Sequence, residues 1–234
     1  MKRSVWALAA LSIAACSEQP AQKAPEAKAP EAAAPAVAEV KSTAPAGAYK
    51  LDKTHTSVTF RVNHLGMSRY TARFTRIDGA LQFDPANPSA MSVEATIDPK
   101  SIETDYPDPK PDFDAELAGP NWLDAVKFPQ ITFKSTKVEP TGANTAKVTG
   151  DFTLHGVTKP ITLDVTFNGG YASAAMDPGA RIGFSAQGKI KRSEFGLAMG
   201  VPAPGSTFGV GDDVEIFIET EFSQPPPAAA KPAG

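Results

Sequence analysis

The sequence predicts an all-β domain: an antiparallel barrel of about eight strands with one short helical segment. Three observations lead to this fold class. Apolar and polar residues alternate with period two in many short segments, turn-forming residues separate those segments, and one short stretch looks helical. Alternation gives a strand one apolar and one polar face, which is typical of antiparallel sheets rather than of buried parallel ones.

Alternation is clear in five segments and weaker in three. In the first segment Val58, Phe60 and Val62 are separated by polar residues, so their side chains share one face. The clear segments are 58–64, 91–97, 148–154, 161–167 and 214–218. The weaker segments are 70–83, 131–138 and 181–191, which bring the expected number of strands to about eight.

Turn-forming residues punctuate the pattern. Clusters containing Gly, Pro, Asn or Asp stand at 84–88, 141–144, 168–170 and 177–179. The helical stretch is 112–125, and we expect the Gly119-Pro120 pair to divide it into two short turns because proline cannot continue a helix from within.

Strand periodicity fits either a sandwich or a barrel. A sandwich buries its apolar face against a second sheet, whereas a barrel of about eight strands has a lumen that is plugged by side chains or holds one small ligand. Gly150, Gly183 and Gly188 interrupt strand segments, as expected where a barrel strand bends or a ligand approaches the backbone. These glycines favour the barrel.

The chain begins with a predicted secretory signal over residues 1–15. Lys2 and Arg3 precede a short apolar run, and two alanines then lead into Cys16, the only cysteine of the chain. The run is too short to cross a hydrocarbon core of about 30 Å, so it is typical of a cleaved signal.

Cys16 is the predicted lipidation site. The small-small-Cys step resembles the lipobox of bacterial lipoproteins, whose cysteine is cut free and lipidated; the alternative is an ordinary cleavage site beside an unpaired or buried thiol. Ser17 follows the cysteine, where an aspartate would resemble the signal for retention in the inner membrane. We therefore expect an exported protein, lipid-anchored to the bacterial outer membrane and facing the periplasm.

Composition divides the remainder into a tether, one domain and a tail. Residues 16–47 are mostly Ala, Pro, Glu, Lys and Gln, which offer too little apolar surface to offset the entropy of ordering them. We expect a disordered tether there and a disordered proline-rich tail at 224–234. The intervening 48–223 is long enough for one domain with its own core.

Charge and cysteine usage exclude two classes of protein. The formal net charge is −3, and Lys2 and Arg3 would leave with the signal. No basic run remains to hold a phosphate backbone, so we expect no nucleic-acid partner. A lone cysteine forms no disulfide framework, and stability must come from packing.

Six short motifs follow one another in a characteristic order. They are 49–60, which contains Tyr49-Lys50-Leu51-Asp52 and His55-Thr56-Ser57-Val58-Thr59-Phe60, then 63–68, 128–135, 150–160, 191–196 and 210–212. In this order and spacing the chain resembles the YceI-like family of bacterial envelope proteins over essentially all of 48–223.

The resemblance implies an extended, lipocalin-like barrel that holds a long polyisoprenoid or a related amphiphile. His64 ends a strand on its apolar face and could hydrogen-bond a head group or serve the structure alone. The expected ligand-facing set is apolar and rich in phenylalanine, although core packing is the alternative for each member. It comprises Phe60, Val62, Phe74, Phe133, Phe152, Leu163, Val165, Phe184 and Ile216, with Trp122 and Leu123 near the mouth.

The chain departs from the family in its helical segment. Family members usually carry an Arg-Asp-x-His-Leu pattern before a pair of aromatics. Asp114 and Leu117 match this pattern, whereas Phe113 and Glu116 stand where Arg and His are usual. Phe113 and Glu116 are therefore left out of the expected site.

Metal and hydrolytic chemistry find little support. The three histidines lie in different segments without neighbouring cysteines, so we expect no metal. Asp52, His55 and Ser57 lack the nucleophile elbow of a hydrolase, and nearness in the chain does not make a triad. The acidic residues of 105–116 are interrupted by prolines and miss the spacing of an EF-hand loop.

We expect a binding protein rather than an enzyme: a periplasmic carrier or reservoir for a long-chain lipid. No cofactor is expected apart from a bound polyisoprenoid or similar lipid. A quinone, an isoprenyl phosphate and a fatty amide all remain open, and the resemblance offers a homodimer as one possibility. The alternative is a structural or interaction lipoprotein of the envelope with a barrel filled by its own side chains. An elongated apolar cavity favours the first reading, and a filled lumen favours the second.

Overall fold

The computed structural model describes residues 42–226 of the chain. This part contains eleven strands, one α-helix and three single-turn 3₁₀ helices. The strands are β1 (Gly47–Leu51), β2 (Ser57–His64), β3 (Ser68–Phe74), β4 (Ile77–Phe83), β5 (Ser92–Ile97), β6 (Ile102–Glu103), β7 (Ile131–Pro140), β8 (Thr145–Leu154), β9 (Val157–Tyr171), β10 (Ala180–Lys191) and β11 (Val210–Gln224). The helix is α1 (Phe113–Ala118), and the 3₁₀ turns are Pro88–Ala90, Pro99–Ser101 and Arg192–Phe195.

Eight of these strands close into an antiparallel barrel, which confirms the predicted fold class. The order around the ring is β1-β4-β5-β7-β8-β9-β10-β11, and β11 pairs back onto β1. Closure places Lys50 opposite Ser223 and Leu51 opposite Phe222. Closing the ring removes the free strand edges that an open sheet would expose.

The other three strands prolong one side of the barrel. β2 pairs with β11 between Val210 and Glu219, β3 pairs with β2, and the short β6 pairs with β3. β1 and β2 therefore follow one another along the same edge of β11. This arrangement lengthens the enclosed space beyond the ring.

Two strand predictions are corrected by the structure. The strand β1, which closes the ring, was not expected from alternation. The predicted segment 70–83 is two strands, because the backbone amides of Thr75 and Arg76 turn away to bond the carbonyl and the hydroxyl oxygen of Ser101 at 3.0 Å each.

The strands extend one residue beyond the predicted domain limits of 48 and 223 at each end. β1 begins at Gly47, and Ala44 is only 6% exposed. The Ser42 hydroxyl donates to the carbonyl oxygen of Gly170 at 3.2 Å, so the start of the described residues packs on the barrel. β11 continues to Gln224. The predicted signal, Cys16 and most of the tether and tail lie outside the described residues.

The predicted helical segment of 112–125 contains one short helix, α1. The Asp112 side chain accepts a hydrogen bond from the backbone N–H of Ala115 at 3.0 Å and so caps α1. The helix ends at Ala118, and its C-cap Gly119 precedes Pro120. In the described part of the chain no helix is long and apolar enough to span a membrane.

Apolar side chains form two clusters inside the barrel rather than one. The first contains Tyr49, Ile182 and Phe222 among others, and the second is built around Ile131 and Phe195. Phe74 and Ile97 contact both clusters. A single packed core would join these groups throughout, so the split indicates a hollow region within the barrel.

Candidate functional site

The hollow region is a cavity of about 1230 Å³. Members of both clusters form its wall, including Leu51 and Phe222 from the first and Ile131 and Ile190 from the second. The volume exceeds the range of about 300–1,000 Å³ common for small-molecule pockets. A long or bulky apolar ligand is therefore the class of molecule that it suits.

All twelve residues of the expected ligand-facing set line this cavity. Alternation explains the agreement, because every second side chain of a barrel strand faces the lumen. The lining residues from the predicted set are Phe60, Val62, His64, Phe74, Trp122, Leu123, Phe133, Phe152, Leu163, Val165, Phe184 and Ile216. Their contact with a ligand stays a prediction.

Most of this set is half-buried although it faces inward. Leu163 is buried and His64 is exposed, while the other ten keep intermediate exposure. Phe60 lies 5.6 Å from Phe74 between ring centroids, and Phe184 lies 5.3 Å from Phe167. These rings pack against one another along the wall, and the side turned to the cavity remains accessible. The lumen is therefore not filled by its own phenylalanines.

Three of the aromatic residues that are absent from the predicted set extend the wall beside α1. Tyr70 on β3 lies 6.2 Å from Phe113 of α1 between ring centroids, and Tyr106 lies 5.2 Å from the same ring. All three line the cavity. Phe113 thus contributes an apolar ring at the position where family members usually carry an arginine.

The cavity wall carries one formal charge. Of the described residues that line it, Arg192 is the only Lys, Arg, Asp or Glu. The residue is 6% exposed, and its guanidinium donates to the carbonyl oxygens of Gly211, Leu197 and Val210 at 2.8, 2.6 and 2.7 Å. Burial lowers the pKa of Arg192 from its ordinary value, while the charge of Asp212 acts in the opposite direction.

Trp122 stands beside this arginine. The Arg192 guanidinium carbon lies 5.8 Å from the centroid of the indole ring. The indole Nε1 is buried and has no hydrogen-bond partner within the described residues. Sequence reasoning selected Trp122 as an apolar mouth residue, and its unpaired donor was visible only in the structure.

His64 occupies the end of β2, where it pairs with Val210 of β11 and Ser68 of β3. It lines the cavity and is exposed to solvent. This position is compatible with contact to a polar head group, and that role stays a prediction.

Asp52 and His55 contact each other, but Ser57 does not join them. His55 Nδ1 lies 2.9 Å from Oδ2 of Asp52, and its other ring contact is the Thr54 hydroxyl on the same nitrogen. Ser57 lies on β2 and is not among the hydrogen-bond partners of His55. Within the described residues, the serine that the triad would need is therefore not bonded to this histidine.

One group of candidate metal ligands lies within the described range. Oxygen and nitrogen atoms of Asp52, His55 and Glu221 lie within 4.8 Å of one another. Arg181 already occupies this group, because its Nη1 donates to Asp52 at 2.5 Å and to Glu221 at 2.8 Å. A guanidinium therefore supplies the positive charge that a metal ion would provide.

The acidic loop before α1 uses two carboxylates to hold the structure. Asp112 caps α1, and Oδ1 of Asp114 accepts from the Thr104 amide at 3.0 Å and from the Thr104 hydroxyl at 2.5 Å. These bonds fasten the helix to the strand end at β6. The same helix carries the wall residues Phe113 and Leu117.

Comparison with known proteins places the barrel in a family. A family model described as the YceI-like domain matches residues 49–222. Protein YceI of Salmonella arizonae is 39% identical over 186 residues, which span 78% of this chain and 90% of the relative.

Solved structures share the fold. BcnA of Burkholderia cenocepacia matches with a TM-score of 0.61 and 28% identity over 73% of this chain and 98% of that chain. The YceI protein of Campylobacter jejuni matches with a TM-score of 0.57 and 32% identity over 69% and 88%. A polyisoprenoid-binding domain from Saccharophagus degradans has a TM-score of 0.52 at 15% identity, over 76% and 98%, and shows the fold alone. With a matching domain model over most of its length and relatives at this level of identity, the chain belongs to the YceI-like family.

Proposed function

We propose that the protein binds a long-chain apolar lipid in the barrel, a polyisoprenoid, a quinone or a similar amphiphile, and serves as its periplasmic carrier or reservoir. The observation that carries the proposal is the cavity of about 1230 Å³ with its predominantly apolar and aromatic wall. The Saccharophagus degradans domain of the same fold is described as polyisoprenoid-binding, which supports the same class of ligand.

The energetics favour a carrier over permanent storage. Removing each CH₂ group from water stabilises by about 0.8 kcal/mol, so a long prenyl chain gains more than about 15 kcal/mol relative to water. The ligand starts in a bilayer, however, whose interior is as apolar as the cavity. The net free energy of transfer should therefore lie near zero, which allows loading and unloading.

The anchor and the location complete the proposal. The signal-like residues 1–15 and the lipobox-like step at Cys16 support export and lipidation, and Ser17 supports the outer membrane. An extended tether of about thirty residues spans less than about 95 Å. The domain would therefore stay within that distance of the membrane that holds its anchor. A homodimer stays an option within this proposal.

A co-purification experiment tests lipid binding. The chain is purified without added lipid, denatured and extracted, and the extract is examined by mass spectrometry for a long-chain lipid in stoichiometric amount. The purified protein is then offered polyprenol chains, and their uptake is measured. A ligand-free preparation that takes up no prenyl chain would falsify the proposal and return the barrel to a structural or interaction role.

A further inference from the structure

Two hydrogen-bond donors belong to neighbouring residues of the cavity lining. They are the guanidinium of Arg192 and the indole N–H of Trp122, and the Arg192 guanidinium carbon stands 5.8 Å from the indole ring centroid. Both residues line the cavity. Neither group can accept a hydrogen bond through these atoms.

The charge of Arg192 has no close carboxylate partner. In the part of the chain that the structure describes, no Asp or Glu oxygen lies within 4.0 Å of its nitrogens. The nearby Asp212 instead accepts from the amide and hydroxyl of Ser193, at 2.8 and 2.9 Å. A guanidinium carries five N–H groups, and three backbone carbonyls take one each, which leaves two for another acceptor.

A structural role explains only part of this arrangement. The bonds to Leu197, Val210 and Gly211 tie the turn after β10 to the start of β11, which gives Arg192 a reason to be buried. They do not provide an acceptor for the buried Trp122 Nε1. An unsatisfied buried donor costs about 1–3 kcal/mol, so an acceptor supplied by a ligand would relieve a real penalty.

We infer that Arg192 and Trp122 form the head-group end of the cavity, and that they select amphiphiles whose polar end presents acceptor oxygens, such as a carboxylate, a carbonyl or a phosphate. The inference rests on the proposed lipid binding and names the ligand class. A cationic head is disfavoured because it would meet a buried positive charge and two donors. The prenyl or acyl chain then extends along the phenylalanine-rich wall.

Three probes with one isoprenoid carbon skeleton separate head-group from chain recognition. Geranylgeranoic acid, geranylgeranylamine and the hydrocarbon phytane compete with the fluorescent hydrocarbon diphenylhexatriene for the purified full-length chain. We expect the acid to bind at least about tenfold more tightly than the amine, because hydrogen bonds to a charged group are the stronger ones. Phytane should fall between them.

Trp122→Phe is the sharpest variant, since it keeps an aromatic ring and removes the N–H. This substitution should weaken binding of the acid about threefold to tenfold and leave the binding of phytane unchanged. Arg192→Met should abolish the preference for acid over amine. Arg61→Met is the matched control: Arg61 is exposed and lies over Phe217, 4.7 Å from the ring centroid, so its loss removes the same charge from outside the cavity lining.

The outcomes distinguish the two levels of the proposal. If the acid and the amine bind wild-type protein equally, or if Trp122→Phe weakens phytane as much as the acid, the head-group inference is wrong while lipid binding stands. If the dye does not bind, or if it binds and none of the three probes displaces it, lipid binding fails as well. Should Arg192→Met not fold, the Trp122→Phe comparison decides alone.

Discussion

Arg181 and Asp52 are 129 positions apart in the chain, and Nη1 of the arginine donates to Oδ2 of the aspartate at 2.5 Å. Asp52 directly follows β1, while Arg181 lies on β10. The same guanidinium bonds Glu221 of β11 at 2.8 Å and Asp177 at 2.8 Å. One side chain therefore spans the three adjacent strands at which the barrel closes.

The first prediction concerns this closure. Arg181 is 21% exposed and Asp52 is 15% exposed, so the pair is only partly screened by solvent. We expect Asp52→Asn to lower the free energy of unfolding by about 1.5–3 kcal/mol at neutral pH, since hydrogen bonds to charged groups stabilise by about that much. Urea unfolding monitored by circular dichroism measures the change. The exposed pair of Lys53 and Asp78 provides the control, because Lys53→Met should change stability by less than about 0.5 kcal/mol.

The difference in stability between wild type and Asp52→Asn should depend on pH in a definite direction. The hydrogen bond from Arg181 holds the pKa of Asp52 well below its ordinary value of 3.8. A lowered carboxyl pKa contributes stability above the ordinary value, and the contribution is lost as the pH falls toward the pKa of the folded state. The gap between wild type and Asp52→Asn should therefore shrink below about pH 4. A gap that stays constant down to acid pH would contradict the assignment.

The second prediction concerns His55, which borders the same network. The hydrogen bond and charge of Asp52 raise the pKa of His55 above 6.5, and Glu221 adds to the effect. A raised histidine pKa stabilises the fold below the ordinary value, and this is lost as the pH rises through the folded pKa. An NMR titration of the imidazole protons should show a midpoint above 6.5 in wild type and a lower one in Asp52→Asn. Equal midpoints in the two proteins would refute the coupling.

Much of the wall was predictable from sequence because alternation is a local property. Val58, Phe60 and Val62 face one way in any strand that contains them, and closure of the sheet turns that face inward. The position of Arg192 was not predictable, because it follows the end of β10 and its direction depends on carbonyls of residues 197, 210 and 211. Whether facing side chains meet or leave a cavity depends likewise on barrel width, which alternation does not encode.

The third prediction concerns Gly150 and Gly183, whose surroundings are known only from the structure. A Cβ at Gly150 would lie 2.5 Å from both the ring of Phe133 and the carbonyl oxygen of Lys134, whereas at Gly183 the nearest atom would be 3.8 Å away. Gly150→Ala should destabilise by about 1–3 kcal/mol and displace a wall residue. Gly183→Ala should be neutral or slightly stabilising, because alanine loses less backbone freedom on folding.

Thermal unfolding and ligand uptake of the two glycine variants provide the check. Gly150→Ala should show a lower melting temperature and altered uptake of a prenyl chain, because Phe133 lines the cavity. The close-packing explanation fails if both alanine variants melt at the same temperature.

The fourth prediction concerns a substitution that fills part of the cavity. Ala72 on β3 lies opposite Phe60 of β2 and lines the cavity, while its neighbour Thr71 is exposed on the other face of the strand. Ala72→Phe should reduce prenyl uptake at least about tenfold, because the added ring takes up space that the ligand needs. Thr71→Phe places the same ring outside the cavity, and prenyl uptake by this variant should match that of wild type.

Stability separates blockage from misfolding in this pair. Overpacking a filled core costs about 1–3 kcal/mol, whereas a ring placed beside a cavity can occupy open space at lower cost. We therefore expect Ala72→Phe to melt near wild type while losing uptake, as measured by differential scanning calorimetry and by lipid stoichiometry. Unchanged uptake in a folded Ala72→Phe protein would mean that the ligand does not occupy the cavity next to β3, and the lipid would then have to lie along the opposite wall or outside the barrel.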